Sequence, residues 1–305
     1  MKVTIAINNY NYSAFIVDCV NSVLQQTYEN IEIIIIDDGS TDNSVELLKE
    51  NYIDNELIKI ISKKNGGQLS TFNQATKYAT GDIICFLDSD DLYKKDYIEK
   101  IVDLYKNDDS IDFVFCAIEN FFTNGSKEII QQYSVNIDIG FSVLSTIYSK
   151  EWVGNVTSSV SMRRNLFNQI FPLELENDWI TRADDCLVWG SSIYGAKKYY
   201  CADPLILYRV HETNNFYGKE FSNAYLYKRE IKINKLFKGL IDKAEIDSNN
   251  LLNLILIEFT SRGNKNINLL FKYLKILSFE SSFLKKIKRT IKLLQIYIIE
   301  LKNKK

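Results

Sequence analysis

A five-residue apolar run, Ile83-Ile-Cys-Phe-Leu87, ends in Asp88-Ser-Asp-Asp91, and this junction constrains the chain more than any other stretch. A run so short reads as a buried strand, since a membrane span needs about 20 apolar residues. Three acids crowd its C-terminal end, where open α/β sheets place their ligands. On an extended backbone Asp88 and Asp90 point to the same side. Carboxylates so placed repel each other unless a cation or a proton intervenes, and hard oxygen donors suit Mg²⁺ or Mn²⁺. Asp90 or Asp91 is also placed to cap a helix beginning near Tyr93, but a cap needs only one carboxylate.

The chain leading to this junction alternates strand and helix. Val3–Ile7 and Ile31–Ile36 read as apolar strands that end in Asn8-Asn-Tyr10 and Asp37-Asp-Gly-Ser-Thr-Asp42. A helix capped by Ser13 follows the first, and a helix over 44–51 follows the second. A strand over 57–62, a turn at Asn65-Gly-Gly67 and a helix over 70–79 complete the approach to Ile83. This order predicts a mainly parallel α/β sheet flanked by helices. Right-handed crossovers then bring the ends at 8–10, 37–38 and 88–91 into one crevice. Neither GxGxxG nor GxxxxGK[ST] occurs, so the sequence supports no dinucleotide or Walker site.

Further along, a helix over 95–106, a strand over 111–118 and a mixed stretch to 150 are expected, with 152–164 returning to the sheet. Asp184-Asp185 opens a helix closed by Gly195, with Asp184 as its cap. Two strands are expected around Pro204, and the only histidine, His211, follows the second. From Asn223 the composition turns to Leu, Ile, Lys and Asn with helical periodicity. In the last helix Leu284, Ile287, Ile291, Leu294, Ile298 and Leu301 form one apolar stripe.

A net charge of −2 argues against nucleic acid as a partner. Residues 280–305 carry eight Lys/Arg against two Glu, a net of +6, which leaves −8 for the rest. The five cysteines are scattered, so buried free thiols in a reducing compartment are expected. The N-terminus shows no signal-peptide pattern, which implies a cytoplasmic protein, with the inner face of the plasma membrane as the alternative station.

Seven stretches in order resemble family 2 of the inverting glycosyltransferases, which have the GT-A fold. They are Ile7–Tyr12, Asp37–Asp42, Asn65-Gly-Gly-Gln68, Asn73 with Ala75, Leu87–Asp91, Asp184-Asp185-x-Leu187 and Leu207-Tyr-Arg-Val-His211. The resemblance covers about residues 1–215 and implies a GT-A domain there, followed by a helical region over 216–305. It implies that Asn8 and Tyr10 face the nucleotide and that Asp38 reads the base edge, commonly uracil. Asp88 and Asp90 would hold Mn²⁺ or Mg²⁺ against the diphosphate, with His211 as a third ligand or a phosphate contact. Gly67, Asn73, Ser89 and Asp91 complete the donor-binding set. Asp185 matches the catalytic base, and Asp184 stands where the family has Glu. Phe72 stands where many members place an arginine, so that contact is either missing or supplied by Lys63 or Lys64.

The residue types fit such chemistry. An acceptor hydroxyl needs a carboxylate to take its proton, and a departing diphosphate needs charge stabilisation. The implied partners are a nucleotide-sugar donor and a glycan or undecaprenyl-diphosphate-linked acceptor in bacterial surface polysaccharide synthesis. The competing classes are a sugar nucleotidyltransferase and a catalytically silent nucleotide-sugar-binding scaffold. The first lacks its glycine-rich basic loop here, and the second does not require the acids. For the last helix the sequence leaves three roles open: a membrane surface, a homodimer seam, or docking on residues 223–275.

Overall fold

The computed structural model describes residues 1–212, 214, 218–247 and 250–303. Its first half builds a parallel sheet from β1 (Val3–Asn9), β2 (Ile31–Asp37), β3 (Ile58–Ser62) and β4 (Ile83–Asp88) in the order β3-β2-β1-β4. Helices α1 (Ile16–Leu24), α2 (Ser44–Tyr52) and α3 (Gln68–Ala75) make the crossovers. The apolar runs are continuous because both sheet faces are covered. Ala6, Ile34, Ile36, Ile84 and Phe86 enter one core, and Ile5, Ile7, Ile33, Ile35, Cys85 and Leu87 enter the other. The register sets Asn8 beside Asp88 on β4, and Asn9 beside Asp37 on β2.

The sheet continues through β9 (Val160–Arg163), β6 (Phe113–Phe122), β10 (Lys198–Val210) and β5 (Leu92–Tyr93). Strands β7 (Lys127–Ile130) and β8 (Ile137–Gly140) pair off this path with β6 and β10. Around them lie α4 (Tyr97–Asn107), α5 (Val143–Ser149), α6 (Arg164–Ile170) and α7 (Asp184–Ile193). All five cysteines are free and buried.

Several local expectations change. Leu92 and Tyr93 pair antiparallel with Leu207 and Ile206 of β10, and the next helix starts only at Tyr97. Asp90 and Asp91 therefore cap no helix. Ser13 does not cap α1 either: the helix starts at Ile16 with Phe15 at its N-cap, and the Ser13 N–H donates to Asp42, which also accepts from the Ser44 hydroxyl. The two strands expected around Pro204 are one strand. Proline lacks the N–H that the ladder needs, so the pairing with β6 shifts register at Pro204 and resumes.

Helix α8 (Asn223–Lys243) packs Ile233, Leu236, Phe237 and Leu240 into the same core that covers one sheet face. Helices α9 (Ile255–Ser261), α10 (Ile267–Ile276) and α11 (Phe283–Asn303) form a third cluster with α5. A buried carboxylate fastens this cluster: Glu258 accepts from the N–H groups of Leu144 and Ser145 at the start of α5 and from the Tyr273 hydroxyl. Helix α11 docks through fully buried Leu293, whereas the predicted stripe lies on the opposite, exposed side. No helix among the described residues is long and apolar enough to cross a membrane.

Candidate active site

The C-terminal ends of β1, β2 and β4 meet as the register requires, and the turn after β4 is held from all sides. Asp88 accepts from the Asn8 amide at 2.7 Å and from the Gln68 amide at 3.0 Å. Ser89 donates its backbone N–H to the Asn8 carbonyl, and its buried hydroxyl has no partner in the structure. Asp91 accepts from Ser158 Oγ at 2.6 Å and from the Arg209 N–H at 2.9 Å. Asp90 Oδ2 lies 3.1 Å from His211 Nε2, whose ring packs against Tyr12 and Phe15. Arg209 is sandwiched between the rings of Phe15 and Phe121 and donates from Nε to the Asp90 carbonyl.

Burial and the charge of Asp90 push the Asp88 carboxyl up to about 7, against hydrogen bonds from Asn8 and Gln68 that lower it. Burial, with Asp90 and Asp88, also raises Asp91 well above the carboxylate range. The hydroxyl of Tyr12 is pushed up for the same reasons. The turn thus concentrates more negative charge than its own cations balance. Asp88 and Asp90 are hard oxygen donors, and a divalent cation between them would relieve this repulsion. Among the described residues no three His, Cys, Asp or Glu side chains already form a metal cage. Two carboxylates with phosphate oxygens and water completing the shell is the arrangement such nucleotide sites use.

Asp184 and Asp185 lie in the first turn of α7, whose N-cap is Ala183, so Asp184 is not the cap. Asp184 is partly exposed and its charge reaches Asp88, while Asp185 is fully buried. Asp185 Oδ2 pairs with Arg229 Nη2 of α8 at 2.5 Å and lies 3.8 Å from Arg182 Nε. Burial and the neighbouring Asp184 push Asp185 up to about 7 despite these arginines. One oxygen of each acid, Oδ1, is buried without a hydrogen-bond partner.

Gln68 joins the two acid groups. Its Nε2 donates to Asp88, and its Oε1 accepts from the Ala183 N–H at 2.9 Å, immediately before the acids of α7. The start of α3 is clamped to the same segment, with Gln68 N–H donating to the Ile180 carbonyl and Leu69 N–H to that of Trp179. Gly67 makes this approach possible: its φ is +85°, and a Cβ there would lie 2.3 Å from Ile180 Cα.

Other residues that the resemblance assigns to donor binding have partners inside the protein. Asp38 is buried and accepts from the N–H groups of Gly66 at 2.9 Å and Gly67 at 2.7 Å, and it pairs with Lys63 Nζ. Lys63 is thereby tied to Asp38, and Phe72, at the position of the family's arginine, has its ring buried in the core. Asn73 does not join the acids. Its amide donates to the Leu173 carbonyl and Glu176, and its oxygen accepts from the Leu173 N–H, fixing α3 to that loop. Tyr10, directly after β1, is 45% exposed. Trp179, whose carbonyl accepts from Leu69, is part of the core. Gln68 lay inside a matched motif, but its bridging role needed coordinates. Arg229 has no sequence signal, since it lies 44 positions from its partner in a region without motifs.

A mainly parallel sheet with helices on both faces and an acid-lined crevice at its strand ends defines a GT-A-type fold. The sequence profile described as Glycosyl transferase family 2 matches residues 4–171, and the chain belongs to that family. It is 34% identical over 223 residues to an uncharacterized glycosyltransferase of Nostoc sp., covering 70% of this chain and 66% of that protein. It is 39% identical over 124 residues to the chondroitin synthase of Escherichia coli, covering 41% of this chain but only 18% of the synthase. Among solved structures, S. aureus TarS 1–349 in complex with UDP-GlcNAc superposes with a TM-score of 0.60. That match has 20% identity and covers 98% of this chain and 81% of TarS 1–349, a likeness of fold.

Proposed function

We propose that this glycosyltransferase is an inverting enzyme that moves a sugar from a nucleotide donor, with UDP-sugars the leading class. The acceptor in this reading is a glycan or an undecaprenyl-diphosphate-linked saccharide of a bacterial surface polysaccharide. The observation that carries it is the Gln68 bridge, which sets the Asp88 turn and the acid end of α7 across a single side chain. Asn8, Tyr10, Asp38 and the turn at Ser89 line the donor side. Asp88 and Asp90 are the residues that would hold Mn²⁺ or Mg²⁺, whose Lewis acidity stabilises charge gathering on the departing nucleoside diphosphate.

Asp185 is the base. The acceptor hydroxyl oxygen bonds to the anomeric carbon from the face opposite the diphosphate. Its proton passes to the Asp185 carboxylate, and the bond between anomeric carbon and diphosphate oxygen breaks. Configuration inverts because attack and departure occur on opposite faces, with no carboxylate nucleophile in between. A base titrating near 7 suits proton transfer at neutral pH. Asp184, partly exposed and facing Asp88, flanks it on the donor side.

A thermal-shift screen of UDP-, GDP- and dTDP-sugars with and without Mn²⁺ tests the reading, because a ligand of the folded state raises the melting temperature. The expected result is a metal-dependent rise with one donor that Asp90→Ala abolishes. No rise with any donor in folded protein would overturn the proposal. Turnover retained in Asp185→Asn but lost in Asp184→Asn would move the base to Asp184.

A further inference from the structure

Helix α11 presents two opposite faces. Leu293 is fully buried on the body side, where Arg289 also pairs with Glu280 and Asn253 and Lys265 reaches Glu300. At 100° per residue, Leu284, Ile287, Ile291, Leu294, Ile298 and Leu301 fall on the other side, and they are 39–78% exposed. The stripe is about 25 Å long, one face of an otherwise docked helix. Phe283 extends it at the N-terminal end and is 73% exposed. Lys285, Lys288 and Lys292 are exposed along one edge, and Lys302 stands at the far end.

We infer that this face is a docking surface for an anionic lipid bilayer, with α11 lying flat in the headgroup region. The charge decides against a second copy of the chain. Read as heptads, the stripe occupies the core positions, and the flanking positions are Phe283, Lys288, Thr290, Gln295, Tyr297 and Lys302. None of these is acidic, so a parallel pair gains no interhelical ion pair, and an antiparallel pair sets lysines against lysines. The same lysines complement an anionic leaflet, with apolar side chains entering the headgroup boundary between them. The remainder of the chain, with its net charge of −8, is repelled by that leaflet, which leaves the +6 segment as the approach side. Because the stripe side chains are already exposed, the surface is present without any rearrangement of the fold. The inference does not depend on the chemistry assigned to the acid site.

The test is vesicle co-sedimentation of the full chain with phosphatidylcholine vesicles and with vesicles containing 30 mol% phosphatidylglycerol, a composition of the order used to mimic anionic leaflets. At least about fivefold more protein is expected to pellet with the anionic vesicles, falling with added salt. Leu284→Gln/Ile291→Gln/Ile298→Gln should abolish pelleting and leave the melting temperature unchanged, since the three side chains are exposed. Lys285→Glu/Lys288→Glu/Lys292→Glu should reduce binding to the phosphatidylcholine level. Equal pelleting of the triple-Gln variant and the parent overturns the inference, as does no pelleting of the parent. A sedimentation-velocity dimer that the triple-Gln variant disperses, without vesicle binding, assigns the face to a second copy and also overturns it.

Discussion

Glu151 and Asp185 are both largely buried and both sit beside arginines, yet Glu151 is held down at about 2 and Asp185 is pushed up to about 7. Burial raises both. Around Glu151 the charge of Arg262 and the hydrogen bonds of Lys272 and Ser145 outweigh it, and Lys272 approaches to 2.7 Å. Around Asp185 the adjacent Asp184 adds to burial, and Arg229 and Arg182 offset only part of the sum. The first carboxylate is a fastener between α5, α9 and α10. The second is held near 7, the range that its proposed role as a base requires. Charge balance separates the two roles where burial does not.

That contrast breaks first at Asp185. Asp185→Asn should lower turnover about 10³-fold, the range for loss of a general base, while the protein stays folded. A variant with near-parent turnover would remove Asp185 from the chemistry. At the fastener the effect falls on stability. Arg262→Met leaves Glu151 and Glu258 buried with one cation fewer, and should cost about 3 kcal/mol in urea unfolding with turnover kept below the transition. An unchanged midpoint would mean that Lys272 alone balances the network. Arg229→Met sharpens the comparison, because Asp185 can take up a proton when its partner goes. The acid limb of the kcat/KM profile should then move to higher pH by about one unit. A profile that stays in place would show that Arg229 does not set the base.

The sheet and its acids were legible because they are local signals. Apolar runs such as Ile31–Ile36 have the pattern of doubly covered strands, and the acids follow them directly. Less legible was whatever depends on a partner distant in sequence. Asp91, one of two acids placed to cap a helix, caps none and is held by Ser158 and Arg209. Asn73, which the resemblance places in the donor set, clips α3 to Leu173 and Glu176. Short polar side chains suit caps, clips and ligands equally, so only the tertiary neighbour decides. The stripe of α11 shows the same limit. Its spacing was plain, but whether it faced the body could not follow from periodicity alone.

The smallest expected effect is a slope of stability with pH. Asp88 and Asp185 titrate near 7 in the folded chain against an ordinary 3.8, so between about pH 4 and 7 the folded state binds more protons than the unfolded one. Stability therefore falls as pH rises through that window. Glu151 and Glu32 act in the opposite sense: both are held at about 2 against 4.5, so their stabilisation is complete above about pH 5 and is lost only in acid. Above pH 5 the active-site acids govern the slope and the fasteners do not. The melting temperature of the free protein should drop by a few degrees from pH 5.5 to 8. Asp185→Asn should flatten that slope, and Mn²⁺ should raise the pH 8 value in the parent by binding Asp88 and Asp90. A melting temperature independent of pH over this range would show that the acids carry no excess protons in the folded state, and the contrast with Glu151 would collapse.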